Sequence, residues 1–290
     1  MRYLVVASPA AGNTDDSNLD LALDELREGG ADVVLAESGS DEQLHAVLDR
    51  LDGRVLVVAG GDGSLHAVVQ ALHDRKELAS TTLGLIPLGT GNDFARSLSV
   101  PLEPDAAARL VRDGSPQPVD LLVEDGDGIV VNNVHVGAGA AAARAAERWK
   151  ERLGRVGYAI GALITAVDPP TVRVQVAVDG EVVHDGRVLQ VAVGNGAYVG
   201  GGTALTPDAD AADGLADVLV ARPETGWARL GYAARLVVGR HHLHEDVTTF
   251  RGRVVEITGE RFTCSADGEL RGPHHARRWR VEPAAYSLIR

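Results

Sequence analysis

The chain has 290 residues, 45% of them hydrophobic and only 4% aromatic, with a formal net charge of −13. Its length predicts two domains, and its acidic balance excludes general nucleic-acid binding and strong overall attraction to anionic membranes. Cys264 is the only cysteine, which excludes an internal disulfide and a cysteine-based zinc cage and leaves a small apolar strand residue.

From Met1 to about Val119 the chain alternates apolar runs with amphipathic segments. Arg2 to Ala7, Asp32 to Ala36, Arg54 to Ala59 and Leu83 to Ile86 read as buried parallel strands. Asn18 to Arg27, Asp41 to Leu51, Leu65 to Leu72 and Pro104 to Arg112 read as helices, with Ser17 and Ser40 as caps and Gly29-Gly30 as a stop. The N-terminus reads directly as a first strand and lacks the form of a secretory signal, so a cytoplasmic protein is expected. After Asp120 the texture changes. Leu121 to Glu124, Gly128 to Val136, Thr171 to Val178, Val182 to Val193, Leu215 to Ala221 and Val254 to Thr258 predict a mostly antiparallel second domain. Two helical interruptions are expected, near Ala138 to Val167 and Gly226 to Gly239. Val156 to Val167, the longest apolar candidate, is too short to span a bilayer.

Two glycine-rich turns carry the chemistry. Gly60-Gly61-Asp62-Gly63-Ser64 and Gly89-Thr90-Gly91-Asn92-Asp93-Phe94-Ala95-Arg96 each follow an apolar strand and precede a helix, an arrangement that aims backbone N–H groups at an anion. Each also carries an aspartate. A carboxylate beside a phosphate is repulsive unless a cation or a transferable proton lies between them, so the pattern predicts metal-dependent phosphoryl transfer through Asp62 and Asp93. Thr90 and Asn92 offer polar contacts to nucleotide or backbone, and Arg96 a guanidinium for phosphate oxygens. Lysine occurs only at Lys76 and Lys150, neither after a glycine-rich turn, so backbone amides, arginine and metal must neutralise any nucleotide phosphates. Asp267-Gly268-Glu269 places two carboxylates one residue apart, a spacing that presents one to a hydroxyl while the other holds the turn or a metal-bound water.

The paired loops, with Val193-Gly194-Asn195-Gly196, Gly200-Gly201-Gly202, Thr206-Pro207-Asp208-Ala209, Asp213-Gly214-Leu215-Ala216-Asp217-Val218 and Asp267-Gly268-Glu269 in that order, resemble the diacylglycerol kinase catalytic-domain family over nearly the whole chain. The first loop alone is shared with NAD kinases and phosphofructokinases. The resemblance implies an N-terminal layered α/β nucleotide-binding domain (NAD kinase/diacylglycerol kinase-like), residues 1–119 with 277–290 returning to it. A C-terminal mainly antiparallel β-sandwich domain, 120–276, would take the lipid substrate. It implies ATP and Mg2+ as cofactors, with nucleotide contacts from Gly60, Gly61, Gly63, Ser64, Gly89, Thr90, Gly91, Asn92, Arg96 and the turn at Ser8, where serine replaces the family's asparagine. It further implies Asp267 as general base, Glu269 as its orienter and Asp62 as the rival base. Asp120 would join Asp62 and Asp93 in a metal network, and Asp213 with main-chain oxygens near Asp210 and Leu215 would hold a structural divalent ion. The activity so implied is ATP-dependent phosphorylation of diacylglycerol or a related lipid, at the inner membrane face, by a protein without a transmembrane segment and compatible with a homodimer. An NAD kinase-like enzyme for a soluble substrate and a non-enzymatic nucleotide-binding regulator are the alternatives. The basic stretch Arg144 to Arg155 around Trp149 suggests a membrane-surface helix, weakened by Glu147 and Glu151, and the histidines at 241, 242, 244, 274 and 275 give only a weak zinc reading.

Overall fold

A computed structural model describes residues 1–8, 16–126, 128–138, 140 and 171–290. Most of the helical segment expected at Ala138 to Val167, with the basic stretch around Trp149, lies outside the described residues. The first half places β1 (Arg2–Ala7), β2 (Asp32–Glu37), β3 (Val55–Gly60) and β4 (Thr82–Pro87) side by side and all parallel in the order β2-β1-β3-β4. Parallel strands need helical crossovers. These are supplied by α1 (Asp16–Arg27), α2 (Asp41–Leu48) and α3 (Asp62–Asp74), while α4 (Asp93–Ser97) and α5 (Pro104–Asp113) follow β4 and lead into the second half. One face of the sheet buries Tyr3, Val5, Val57 and Ile86 with Leu23, Leu26, Ala108 and Val111. The other buries Leu4, Leu56 and Val58 with Leu44, Leu65, Val69 and Leu72. Ser40 caps α2 as expected, accepting from the Gln43 amide, whereas α1 begins at Asp16, so Ser17 lies inside the helix and not at its cap.

The second half is built from β5 (Pro116–Glu124), β6 (Ile129–Val130), β7 (Asn133–Gly137), β8 (Val172–Val178), β9 (Glu181–Val188), β10 (Gln190–Gly194), β11 (Tyr198–Val199), β12 (Thr203–Ala204), β13 (Ala216–Ala221), β14 (Val247–Gly252), β15 (Val254–Ala266) and β16 (Glu269–Ile289), with α6 (Gly226–Val237) between β13 and β14. The single strand expected from Val182 to Val193 is broken at Leu189, because the chain there leaves its partner β8 to enter between β7 and β13. The run expected from Gly128 to Val136 is broken at Val131 and Asn132, whose amides turn onto the Asp267 side chain. β16 joins the halves. It pairs antiparallel with β15 and β5, then parallel with β4 through Ser287 and Leu288, burying Tyr286 and Leu288 in the N-terminal core.

Asp120 fastens this junction. Its buried carboxylate accepts from the Gly214 amide (2.6 Å) and from the Ala284 amide (2.7 Å), at the irregularity of β16 where Ala284 has φ of 50°. Asp120→Ala would leave the part-buried Gly214 and Ala284 amides without this charged acceptor, and it is expected to lower unfolding free energy by about 2 kcal/mol. Urea denaturation checks this; an unchanged midpoint would show that the junction does not depend on the staple.

Candidate active site

The glycine turns lie at the C-terminal ends of β3 and β4, where open parallel sheets hold ligands. They touch each other: a Cβ on Gly89 would stand 2.5 Å from the Gly61 Cα, so glycine is required for the approach. The Leu88 amide donates to the Gly60 carbonyl (3.0 Å), and the Ser64 side chain folds over Gly60. Gly61, at the N-cap of α3, has no side chain to cap it, which among the described residues leaves first-turn N–H groups for an outside acceptor. Asn92, expected to face nucleotide or backbone, takes the backbone role. With φ of 52° it accepts from the Gly89 amide (3.0 Å) and donates to the Gly89 carbonyl (2.7 Å), while Thr90 stands exposed at the tip. Ser8 follows β1, whose Ala7 is in register with Ala59; residues 9–13 of its turn lie outside the described residues.

Asp62 and Asp93 are brought together. Asp62 accepts from the amides of Asp93 and Phe94, both at 3.0 Å, and so fastens the start of α4. Asp93 accepts from the Gly201 and Gly202 amides, the latter at 2.7 Å, which ties the second loop to the hairpin of β11 and β12. A Cβ on Gly91 would lie 3.2 Å from Asp62 Oδ2 and 3.4 Å from Asp93 Oδ2, so the two oxygens converge on space that only glycine leaves open. Burial pushes the Asp93 carboxyl up from its ordinary range against the Gly201 donation, and the charge on Asp62 pushes it the same way. Hard oxygen ligands facing each other across such a gap fit a divalent cation. Arg96 borders the same space, donating to the Gly91 carbonyl (3.4 Å) and lying against Gly202. Asp120 is arranged differently: both its oxygens accept from the distant Gly214 and Ala284 amides, so the role the structure gives it is the junction.

Asp267, in the turn between β15 and β16, is reached by four donors. Oδ1 accepts from the Asn132 (2.9 Å) and Asn133 (3.1 Å) amides, and Oδ2 from the Val131 amide (2.7 Å) and lies 2.8 Å from His66 Nδ1. An ionised carboxylate is the side chain able to accept from so many partners. Its side chain is 4% exposed and that of His66 is 13% exposed. Glu269, expected to orient Asp267, does not. It points to solvent from β16, 3.7 Å from Arg271, because one residue past the turn the strand alternation turns it outward. His66 takes that place. Sequence reasoning passed over it, although it sits one helical turn after Asp62, on the same face of α3.

The expected structural cation site is occupied by a side chain. Asp213 accepts from the Leu215 amide (2.9 Å) and is ion-paired with Arg251, whose Nε also lies 3.3 Å from Asp217 Oδ2. Burial pushes the Asp217 carboxyl up to about 6, with Arg251 opposing the shift. Asp210 uses its side chain on the Ala212 amide. A guanidinium already stands where a cation would sit, so these residues do not fit a resident divalent ion. Divalent metal is expected to shift the thermal midpoint of wild type and of Asp213→Asn equally. A shift lost in Asp213→Asn would return a cation to this site.

The clustered histidines serve packing where they are closest. His241 Nε2 lies 2.7 Å from the Leu205 carbonyl, and its ring meets Tyr232 edge-on. Among the described residues no group of three or more His, Cys, Asp or Glu side chains is placed to hold a metal.

Comparison with known proteins agrees with this arrangement. Residues 2–123 match the diacylglycerol kinase catalytic domain, and residues 132–290 match the YegS C-terminal NAD kinase beta sandwich-like domain. A probable lipid kinase YegS-like protein of Stenotrophomonas maltophilia is 32% identical over 92% of this chain and 81% of its own length. A diacylglycerol kinase of Mycobacterium tuberculosis is 31% identical over 72% of this chain and 69% of its own. The fold matches a crystal structure of a diacylglycerol kinase from Bacillus anthracis at a TM-score of 0.80 and 24% identity, covering 99% of this chain and 96% of that one. With both halves matched in order and a relative of this identity spanning nearly all of it, the chain belongs to the diacylglycerol kinase and YegS-like family of lipid kinases.

Proposed function

We propose that this lipid kinase transfers the terminal phosphoryl group of ATP to a hydroxyl of diacylglycerol or a closely related lipid, at the inner face of the membrane. The observation that carries the reading is the convergence of two assemblies. Asp62 and Asp93 face an open gap beside uncapped helix N–H groups, and His66, on the same helix as Asp62, meets Asp267 from the other half of the chain. Residues 1–119 hold the nucleotide. The phosphates rest on the amides of Gly61 to Ser64 and Gly89 to Gly91, with Arg96 on their oxygens. Asp62 and Asp93 hold Mg2+, which when bound offsets the repulsion between phosphates and carboxylates. The acceptor enters over 120–276. Because the oxygens of Asp267 are committed to three amides and His66, Asp267 serves the reaction by orienting the imidazole. Nε2 of His66 then takes the hydroxyl proton as the lipid oxygen bonds to phosphorus and the bond to the ADP oxygen breaks.

The test is transfer of radiolabel from ATP with magnesium into a panel of diacylglycerol, ceramide, sphingosine, monoacylglycerol, undecaprenol and NAD. Label is expected in an organic-phase product made from diacylglycerol. Label confined to an aqueous product from NAD would overturn the reading.

A further inference from the structure

Nine large apolar side chains are exposed among the described residues, and five of them fall between Trp227 and Leu243. Trp227, Leu230, Val237 and Val238 are 55% to 84% exposed, and with exposed Ala234 they fall within an arc of about 100° on α6 at 3.6 residues per turn. The opposite side of α6 is already used. Tyr232 is buried there, against His241 and His244. A helix with an apolar face on each side has one face meant for something outside the described fold.

Charge and position identify the occupant. Over 222–244 the chain carries Arg222, Arg229, Arg235 and Arg240 against Glu224 as the only acidic residue, in a protein of net charge −13. Arg235 is exposed on α6 beside the apolar arc, and Arg222 and Arg240 are exposed before and after the helix, Arg222 reaching Thr248. A basic rim about an apolar stripe bearing a tryptophan matches an anionic bilayer surface, where arginine meets headgroups and tryptophan sits at the interface. The segment that follows α6 links this helix to the active site. Residues just after α6 pack on the β11–β12 hairpin, through Gly239 against Ala204 and His241 against the Leu205 carbonyl, and the tip of that hairpin supplies the Gly201 and Gly202 amides that hold Asp93.

We infer that α6 and the segment through Leu243 dock this enzyme on anionic lipid bilayers, seating the active site at the surface that contains its substrate. This rests on the proposed lipid phosphorylation for its purpose, but is tested apart from it. In co-sedimentation, wild type is expected to bind vesicles of phosphatidylcholine mixed with phosphatidylglycerol, and to bind phosphatidylcholine alone more weakly. Trp227→Ser/Leu230→Ser should reduce binding to the mixed vesicles about tenfold, since binding scales with the apolar area inserted. Both proteins should phosphorylate a water-dispersed short-chain diacylglycerol at the same rate. Equal vesicle binding by the double variant would overturn the assignment. So would a wild-type dimer in sedimentation velocity that the double variant converts to monomer, because a second copy would then cover the face. Vesicle binding lost in the double variant with no lipid phosphorylation by either protein would support the docking face and sink the proposed acceptor.

Discussion

Asp267→Asn is expected to lower lipid phosphorylation by about 10²–10⁴-fold at saturating ATP while nucleotide affinity survives, the range spanned by positioned proton transfer. The nucleotide loops lie at the ends of β3 and β4, whereas Asp267 sits in the β15–β16 turn and meets α3 through His66. An amide has one oxygen and one donor group. One of the Val131, Asn132 and Asn133 amides, or His66, would therefore face a donor, and a lower thermal midpoint should accompany the loss. The loss of turnover in that variant thus has two sources, and His66→Ala separates them. His66 makes one hydrogen bond to Asp267 from a partly exposed position, so its removal should leave the fold intact and still reduce turnover about 10²-fold or more. Added imidazole should restore part of that activity. Wild-type turnover in folded His66→Ala would send the proton directly to Asp267. Loss of ATP affinity in either variant would instead assign the pair to the metal or to the structure.

Much of this was legible along the chain, for a physical reason. Backbone approach demands glycine, so the contact of Gly61 with Gly89 and the meeting of the Asp62 and Asp93 carboxylates beside Gly91 are carried in residue types and spacing. The four parallel strands were equally plain, because strands buried on both faces read as continuous apolar runs. Roles set by register across the fold were not legible. Arg251 lies 38 residues from Asp213 and meets the acidic turn only because β13 and β14 place it opposite Asp217. His66 is an unremarked helix residue until the Val131–Asn133 bend and the β15–β16 turn are brought against α3. The same bend explains the broken strand there: amides that the apolar pattern assigns to a ladder are spent on Asp267. Glu269 looked equivalent to its neighbour in an Asp-Gly-Glu string, and only the alternation of β16 separates a buried carboxylate from an exposed one.

Asp62→Asn is expected to reduce turnover by about 10²–10³-fold or more, the scale of losing one preorganised electrostatic group at a phosphoryl-transfer centre. Charge is one cause. The amide keeps the volume of the side chain but removes the anion that faces Asp93 across Gly91, so the apparent magnesium requirement should rise along with the loss of rate. Local geometry is the other. Asp62 holds the amides of both Asp93 and Phe94, and an asparagine can accept from only one of them while its NH2 group opposes the other. The start of α4 should loosen, and with it the Asp93 contact to the Gly201 and Gly202 amides. Global unfolding is expected to change less than this local loosening, since α4 has five residues and the parallel pairing of β3 with β4 does not run through it. The decisive measurement is turnover as a function of magnesium at saturating ATP and lipid. A rate that recovers at high magnesium assigns Asp62 to cation binding. A rate that stays low at every concentration, with hydrogen exchange increased over 92–97, assigns it to holding the second loop. Wild-type turnover in the folded variant would remove Asp62 from the mechanism and leave Asp93 as the carboxylate on which the nucleotide site depends.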